Sequence, residues 1–212
     1  MDGMPPGELA SDVKRRSARH PLTDRRQELL SATIACLARL GPRGTTGREI
    51  CREAGVSHGL LRHYFVNPDN LLLEAYQMLC DQYLEAIASG SRSVDASPWA
   101  AIDGFFEHLF SDFWANPQVL GAWSAFWTLV TTRDDFAQAS AAFNDRLRAM
   151  LVRAVRLVPE ADRTTMPIDD AIILLSAVME GLWLDFCLLP DRITREQAVR
   201  LCEVAARRIL GR

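Results

Sequence analysis

Two short helical segments joined by a tight turn constrain this fold more than any other feature of the sequence. Thr46 followed three residues later by Glu49 is the pattern of a capping box, which predicts that a helix starts directly after Thr46. Ser57 is suited to cap the next helix, predicted over residues 58–64. Two helices separated by the four residues AGVS (54–57) have the dimensions of a helix-turn-helix.

The rest of the sequence also predicts helices, with no alternating strand pattern and no internal repeat. Leu30, Ile34 and Leu37 recur at helical spacing and predict a first helix of about 24–40, which Gly41-Pro42 stops. Further helices are predicted over 68–88, 98–114, 117–131, 134–157, 167–188 and 194–210. We therefore expect an all-α chain in three parts: a flexible basic arm (1–22), a three-helix helix-turn-helix domain (23–67) and a larger helical domain (68–212).

Charge is distributed unevenly along the chain. From Val13 to Val66 there are eleven basic and four acidic side chains, whereas residues 67–212 carry thirteen basic and twenty acidic ones. A basic N-terminal third joined to an acidic remainder predicts a polyanion as the partner of the N-terminal part. The stretch KRRSARH (14–20) is basic enough to lie on phosphates, with a solvated tail as the alternative.

The exposed side of the helix predicted over 58–64 suits DNA. Leu61 and Phe65 lie one turn apart and are expected to face inward. The opposite side then presents His58, Gly59, Arg62 and His63. A forked arginine donor and two imidazoles suit the acceptor-rich base edges of the major groove.

These residues carry a resemblance to a known family. Residues 45–72, TTGREICREAGVSHGLLRHYFVNPDNLL, resemble the DNA-binding signature of the tetracycline repressor (TetR) family. The resemblance implies a three-helix DNA-binding domain, a helical C-terminal domain for ligand binding and dimerisation, and repression that a small molecule relieves. It also implies nine DNA-contacting residues, with Thr46 and Tyr64 at phosphates: Arg43, Thr46, Arg48, Ser57, His58, Gly59, Arg62, His63 and Tyr64. Pro68 departs from the family pattern, which commonly has a lysine there.

The C-terminal part resembles one branch of this family, the choline-sensing repressors of glycine-betaine synthesis. The resemblance lies in GAWSAFW (121–127), FNDRLRAML (143–151) and MEGLWL (179–184). Tryptophan faces beside a carboxylate are what a cationic amine or quaternary ammonium ligand requires. The candidate ligand-binding residues are Phe110, Trp114, Trp123, Trp127, Glu180 and Trp183. The alternative is that most of these aromatic residues only pack at helical spacing.

The segment 167–188 is apolar on almost every side and must therefore be covered on every side. We expect the domain core to cover one face of this helix and a second copy of the chain to cover the other. Together with 194–210, this segment is predicted to form a four-helix bundle across the two-fold axis of a homodimer.

Several functional classes are excluded by missing motifs. The sequence has no G-x-S-x-G, no H-E-x-x-H and no glycine-rich loop, so we predict neither an enzyme nor a bound cofactor. The five cysteines are scattered without metal-ligand spacing, so no metal site is expected. No signal peptide is apparent, and we expect a soluble, cytoplasmic protein.

The predicted function is that of a ligand-responsive regulator, most simply a repressor that binds a palindromic double-stranded DNA operator as a homodimer. A transcriptional activator of the same family is one alternative. A helical interaction protein that does not bind DNA is another.

Overall fold

The fold is that of a computed structural model, which describes residues 22–90, 99–159, 165–189 and 191–211. Within these ranges the chain forms nine α-helices and no strand. The helices are α1 (Leu22–Gly44), α2 (Gly47–Ala54), α3 (His58–Tyr64), α4 (Pro68–Gly90), α5 (Ala100–Leu109), α6 (Pro117–Val130), α7 (Asp134–Leu157), α8 (Ile168–Leu188) and α9 (Arg195–Leu210). The predicted all-α class is confirmed. The predicted basic arm up to residue 21 and the side chain of Pro68 lie outside the described residues.

Local hydrogen bonds explain the turn between α2 and α3. The hydroxyl of Thr46 accepts a hydrogen bond from the backbone N–H of Glu49 at 3.3 Å. The Glu49 carboxylate pairs with Arg52, so only one half of the predicted capping box forms. Gly55 has a left-handed φ of 63°, which glycine adopts without strain. The Ser57 hydroxyl accepts from the N–H of Leu60 at 3.2 Å and begins α3 as the sequence predicts.

One predicted helix end is confirmed and one is wrong. The helical backbone of α1 is interrupted at Gly41 (φ 67°), as the sequence predicts, and a further helical turn follows as far as Gly44. The helix predicted over 98–114 ends at Leu109, and the chain turns before Asn116 caps α6. The Asn116 carboxamide oxygen accepts from two backbone N–H groups of α6, both at 3.0 Å, which fixes that start.

Helix α6 packs along α1 and so joins the two parts of the chain. The backbones approach most closely at Gly121, where an added Cβ would lie 2.8 Å from the carbonyl oxygen of Ala38. That separation is shorter than van der Waals contact allows, and the obstacle is backbone rather than a flexible side chain. Gly121 is therefore required for the close packing of α6 on α1.

We expect Gly121→Ala to lower the free energy of unfolding by about 1–3 kcal/mol, since overpacking must push the two helices apart. Urea denaturation followed by circular dichroism measures this change. Gly59→Ala is the control, because a Cβ there would have its nearest neighbour at 3.9 Å. Equal stability of the two variants would contradict the close approach.

Helix α8 packs on α9 but leaves an apolar face uncovered. On the outer side of these two helices, five large apolar side chains are 43–62% exposed: Ile173, Leu174, Leu188, Leu201 and Val204. By length and composition alone α8 could cross a membrane. Its other face nevertheless packs in the protein core, where Ala171, Ile172, Leu175 and Met179 are buried. We define the exposed set as the α8–α9 face.

Candidate DNA-binding surface and ligand cavity

Helix α3 is anchored by apolar side chains and exposes its polar side. Leu61 and Phe65 are each 2% exposed and pack in the core with Ile50, as the sequence predicts. The four residues expected to face DNA are exposed: His58, Gly59, Arg62 and His63. Tyr64 is half-buried and its ring meets that of His63 edge-on at 5.3 Å.

The arginines of the N-terminal part fall into two groups. Between residues 22 and 66 four of the seven arginines form ion pairs with glutamates: Arg25–Glu28, Arg26–Glu74, Arg39–Glu53 and Arg52–Glu49. The other three, Arg43, Arg48 and Arg62, are exposed and have no hydrogen-bond or ion-pair partner among the described residues. These three are the arginines that the sequence assigns to DNA. Their guanidinium groups are free to meet phosphates or bases.

The orientation of His58 depends on a residue that the sequence analysis did not single out. A Cβ built on Gly47 would lie 3.2 Å from the imidazole Nε2 of His58. The ring therefore rests against the first turn of α2, close to Thr46 and Arg48. One sequence signal could have indicated this contact. Gly47 follows the Thr46 cap directly, at a position where most side chains are tolerated, so a glycine there suggests that another group needs the space.

A cavity of about 580 Å³ lies mainly between α4, α6, α7 and α8. Its aromatic lining consists of Tyr76, Tyr83, Trp123, Trp127, Phe143 and Trp183. The Trp123 ring lies 5.8 Å from Phe143 and 6.2 Å from Tyr83, measured between ring centroids. The cavity is thus bounded on several sides by aromatic rings: α4 and α6 contribute two each, and α7 and α8 one each.

The charged groups at this cavity are mostly acidic. Glu180 and Asp145 line it without an ion-pair partner among the described residues. Arg148 also lines it, but its guanidinium is paired with Asp169 at 2.7 Å. Burial raises the pKa of Tyr83, and the negative charge of Glu180 raises it further. The Tyr83 hydroxyl therefore keeps its proton, whereas the Glu180 side chain, which also lines the cavity, is exposed.

The predicted ligand residues are only partly brought together. Trp123, Trp127, Glu180 and Trp183 line the cavity, whereas Phe110 and Trp114 do not. Both lie beyond the end of α5, in the turn that packs behind the wall, and are at most 1% exposed. Phe110 meets Phe186 edge-on at 5.9 Å.

Among the aromatic and acidic residues of the wall, the sequence analysis missed four: Tyr76, Tyr83, Phe143 and Asp145. Tyr76 and Tyr83 are seven residues apart and so share one face of α4. Phe143 and Asp145 fall in the FNDRLRAML stretch that resembles the choline-sensing branch.

A helix-turn-helix with unpaired arginines, joined to a helical domain that encloses a cavity, defines a DNA-binding regulator with a sensing domain. The model of the tetR family of bacterial regulatory proteins matches residues 29–75. That of the C-terminal domain of BetI-type transcriptional repressors matches residues 98–211. The chain belongs to the TetR family and carries a BetI-type C-terminal domain. It is a transcriptional regulator rather than an enzyme. This assignment excludes the alternative of a helical interaction protein that does not bind DNA.

Individual relatives agree with this assignment. The HTH-type transcriptional regulator BetI 2 of Chromohalobacter salexigens is 30% identical over 176 residues, covering 82% of this chain and 83% of that protein. The crystal structure of a transcriptional regulator from Pseudomonas aeruginosa PAO1 has a TM-score of 0.79 at 34% identity, covering 91% and 93% of the two chains. A regulator from Saccharomonospora viridis, crystallised in complex with choline, has the same fold, with a TM-score of 0.78 at 16% identity over 90% and 99% of the chains.

Proposed function

We propose that this regulator is a cytoplasmic repressor that binds its operator as a homodimer and is released by a cationic amine or quaternary ammonium ligand. The ligand class is supported by the cavity itself, which is lined by six aromatic side chains and by two carboxylates that have no ion-pair partner in the described part of the chain. Aromatic faces attract a cation through the ring quadrupole, and a carboxylate adds a direct charge.

On the DNA, α3 would lie in the major groove with Arg62 and His63 directed at base edges. His58 and Gly59, near the start of α3, would allow a close approach to the groove. Thr46, Ser57 and Tyr64, together with Arg43 and Arg48, would hold the flanking phosphates. Among the described residues the three arginines have no partner, which supports these roles, since no ion pair within that part of the chain must break on binding.

The homodimer would form through the α8–α9 face. Its five exposed apolar side chains lie on two helices that pack together, and large apolar side chains exposed in this way mark an interaction surface. Arg200 and Arg208 on α9 and Asp170 on α8 are exposed on the same two helices, so a second copy can offer charges of both signs. A two-fold dimer also sets two copies of α3 at the spacing of two half-sites.

The ligand class is tested by isothermal titration calorimetry with choline, tetramethylammonium and 3,3-dimethylbutanol, the last being a neutral molecule of the same shape as choline. We expect the two cations to bind and the neutral molecule to bind much more weakly. Fluorescence anisotropy with the DNA upstream of the gene should show release by the same two cations. Tighter binding of the neutral molecule than of choline would rule the proposal out.

Glu180→Gln keeps the size of the side chain and removes its charge. We expect choline affinity to fall by about two- to fivefold, because Glu180 is exposed and an exposed pair of opposite charges contributes about 0.5–1 kcal/mol. Glu85→Gln is the matched control, since Glu85 is an exposed glutamate of α4 that does not line the cavity. Equal affinities of the two variants for choline would show that Glu180 does not contribute to choline binding.

A further inference from the structure

Trp114 and His108 lie directly behind the cavity wall. The indole N–H of Trp114 (Nε1) donates a hydrogen bond to Nε2 of His108 over 2.8 Å. Because an indole nitrogen can only donate, His108 accepts through an unprotonated Nε2. The imidazole is then neutral with its proton on Nδ1. Burial lowers the pKa of His108, which favours the same neutral form.

Trp114 in turn contacts two side chains that do line the cavity. Its ring meets Tyr83 edge-on, with 5.0 Å between the ring centroids and 86° between the ring planes. Its backbone carbonyl oxygen accepts a hydrogen bond from Nε1 of Trp183 at 3.2 Å. Tyr83 belongs to α4 and Trp183 to α8. Trp114 therefore contacts aromatic residues of the wall that belong to two different helices.

Few polar contacts hold the Trp114 side chain in place. Trp114 is 1% exposed, so its indole N–H has no access to water if the bond to His108 is lost. A buried donor without an acceptor is unfavourable, and the ring would turn to find a new partner. Such a turn would displace the ring edge that contacts Tyr83. The position of the wall is thus tied to the acceptor on His108.

We propose that His108 and Trp114 are positioning residues, which set the affinity of the cavity by holding Tyr83 and Trp183 without touching the ligand. This inference rests on the proposed ligand class, since it assigns supports to the same cavity. A cation gains from an aromatic face only within a narrow range of distance, so a small displacement of the wall reduces binding.

Two substitutions of His108 separate positioning from mere packing. His108→Leu removes the acceptor, whereas His108→Gln can offer its amide oxygen close to the former position of Nε2. We expect choline to bind His108→Leu about tenfold more weakly than the wild type and His108→Gln within about twofold of it. Calorimetry gives the affinities, and thermal melts followed by circular dichroism show that both variants are folded at the temperature used. Wild-type affinity in folded His108→Leu, or equal losses in both variants, would overturn the proposal.

A second measurement does not depend on the ligand. Protein labelled with 5-fluorotryptophan gives separate ¹⁹F resonances, which single Trp→Phe variants assign. Without ligand we expect the Trp183 resonance to shift in His108→Leu and to return to its wild-type position in His108→Gln. An unmoved Trp183 resonance in His108→Leu also overturns the proposal. If choline binds none of the proteins while that resonance moves, the ligand class has failed and the positioning role stands.

Discussion

Replacing Leu174 and Leu201 together by glutamate is expected to leave the protein monomeric and to reduce operator affinity by about a hundredfold or more. The two side chains are 46% and 43% exposed in the single chain and contribute one residue from each helix to the α8–α9 face. A carboxylate buried without a partner costs several kcal/mol, and about 3 kcal/mol already corresponds to more than a hundredfold in the dimer equilibrium. Light scattering after size exclusion measures the mass, and fluorescence anisotropy measures operator binding.

The matched control for this variant is Leu157→Glu. Leu157 is 52% exposed, ends α7 and lies outside the α8–α9 face. This variant should remain dimeric and bind the operator as the wild type does. A double variant that still has the mass of a dimer would show that the subunits meet elsewhere.

The second large effect is expected for Arg62→Ala. Arg62 is exposed on α3 and has no partner among the described residues, so its removal costs nothing within the protein. Loss of one base-reading arginine typically costs about 1–3 kcal/mol, or roughly 5- to 150-fold in affinity for the specific site. The loss should be much smaller on unrelated DNA, because the contact discriminates between sequences.

Arg52→Ala provides the comparison for charge. Arg52 is also an exposed arginine of the helix-turn-helix, but it is paired with Glu49 on the same helix. Anisotropy titrations of both variants on operator and unrelated DNA should show a loss of discrimination for Arg62→Ala alone. Similar losses on both DNAs for Arg62→Ala would assign Arg62 to a phosphate instead.

Local sequence signals predicted the DNA-binding part well. Ser57 and Gly55 act through neighbouring backbone groups, so the start of α3 and the turn before it follow from a few adjacent residues. The exposed side of α3 follows from the spacing of Leu61 and Phe65. The end of α5 was harder, because residues 110–114 are apolar enough to continue a helix and only the tertiary packing of Phe110 and Trp114 decides otherwise.

The cavity was predicted less completely for a physical reason. Helical periodicity tells which side of a helix is inside, but not whether that side meets another side chain or a void. Trp114 and Trp123 therefore look alike in the sequence, although only Trp123 lines the cavity. Tyr83 and Phe143 were missed because their helices contribute to the wall only after four segments have packed together.

The close backbone contact between Gly121 and Ala38 affects how a conformational change in the cavity can reach the DNA-binding domain. Helix α6 has fourteen residues and is about 21 Å long, and it presents Trp123 to the cavity two residues after Gly121 meets the first helix. Because Trp123 and this contact belong to the same helix, a ligand that displaced Trp123 would also tilt α6 against α1. The size of a ligand that pushes Trp123 outward, as well as the ligand's charge, would then affect the DNA-binding domain.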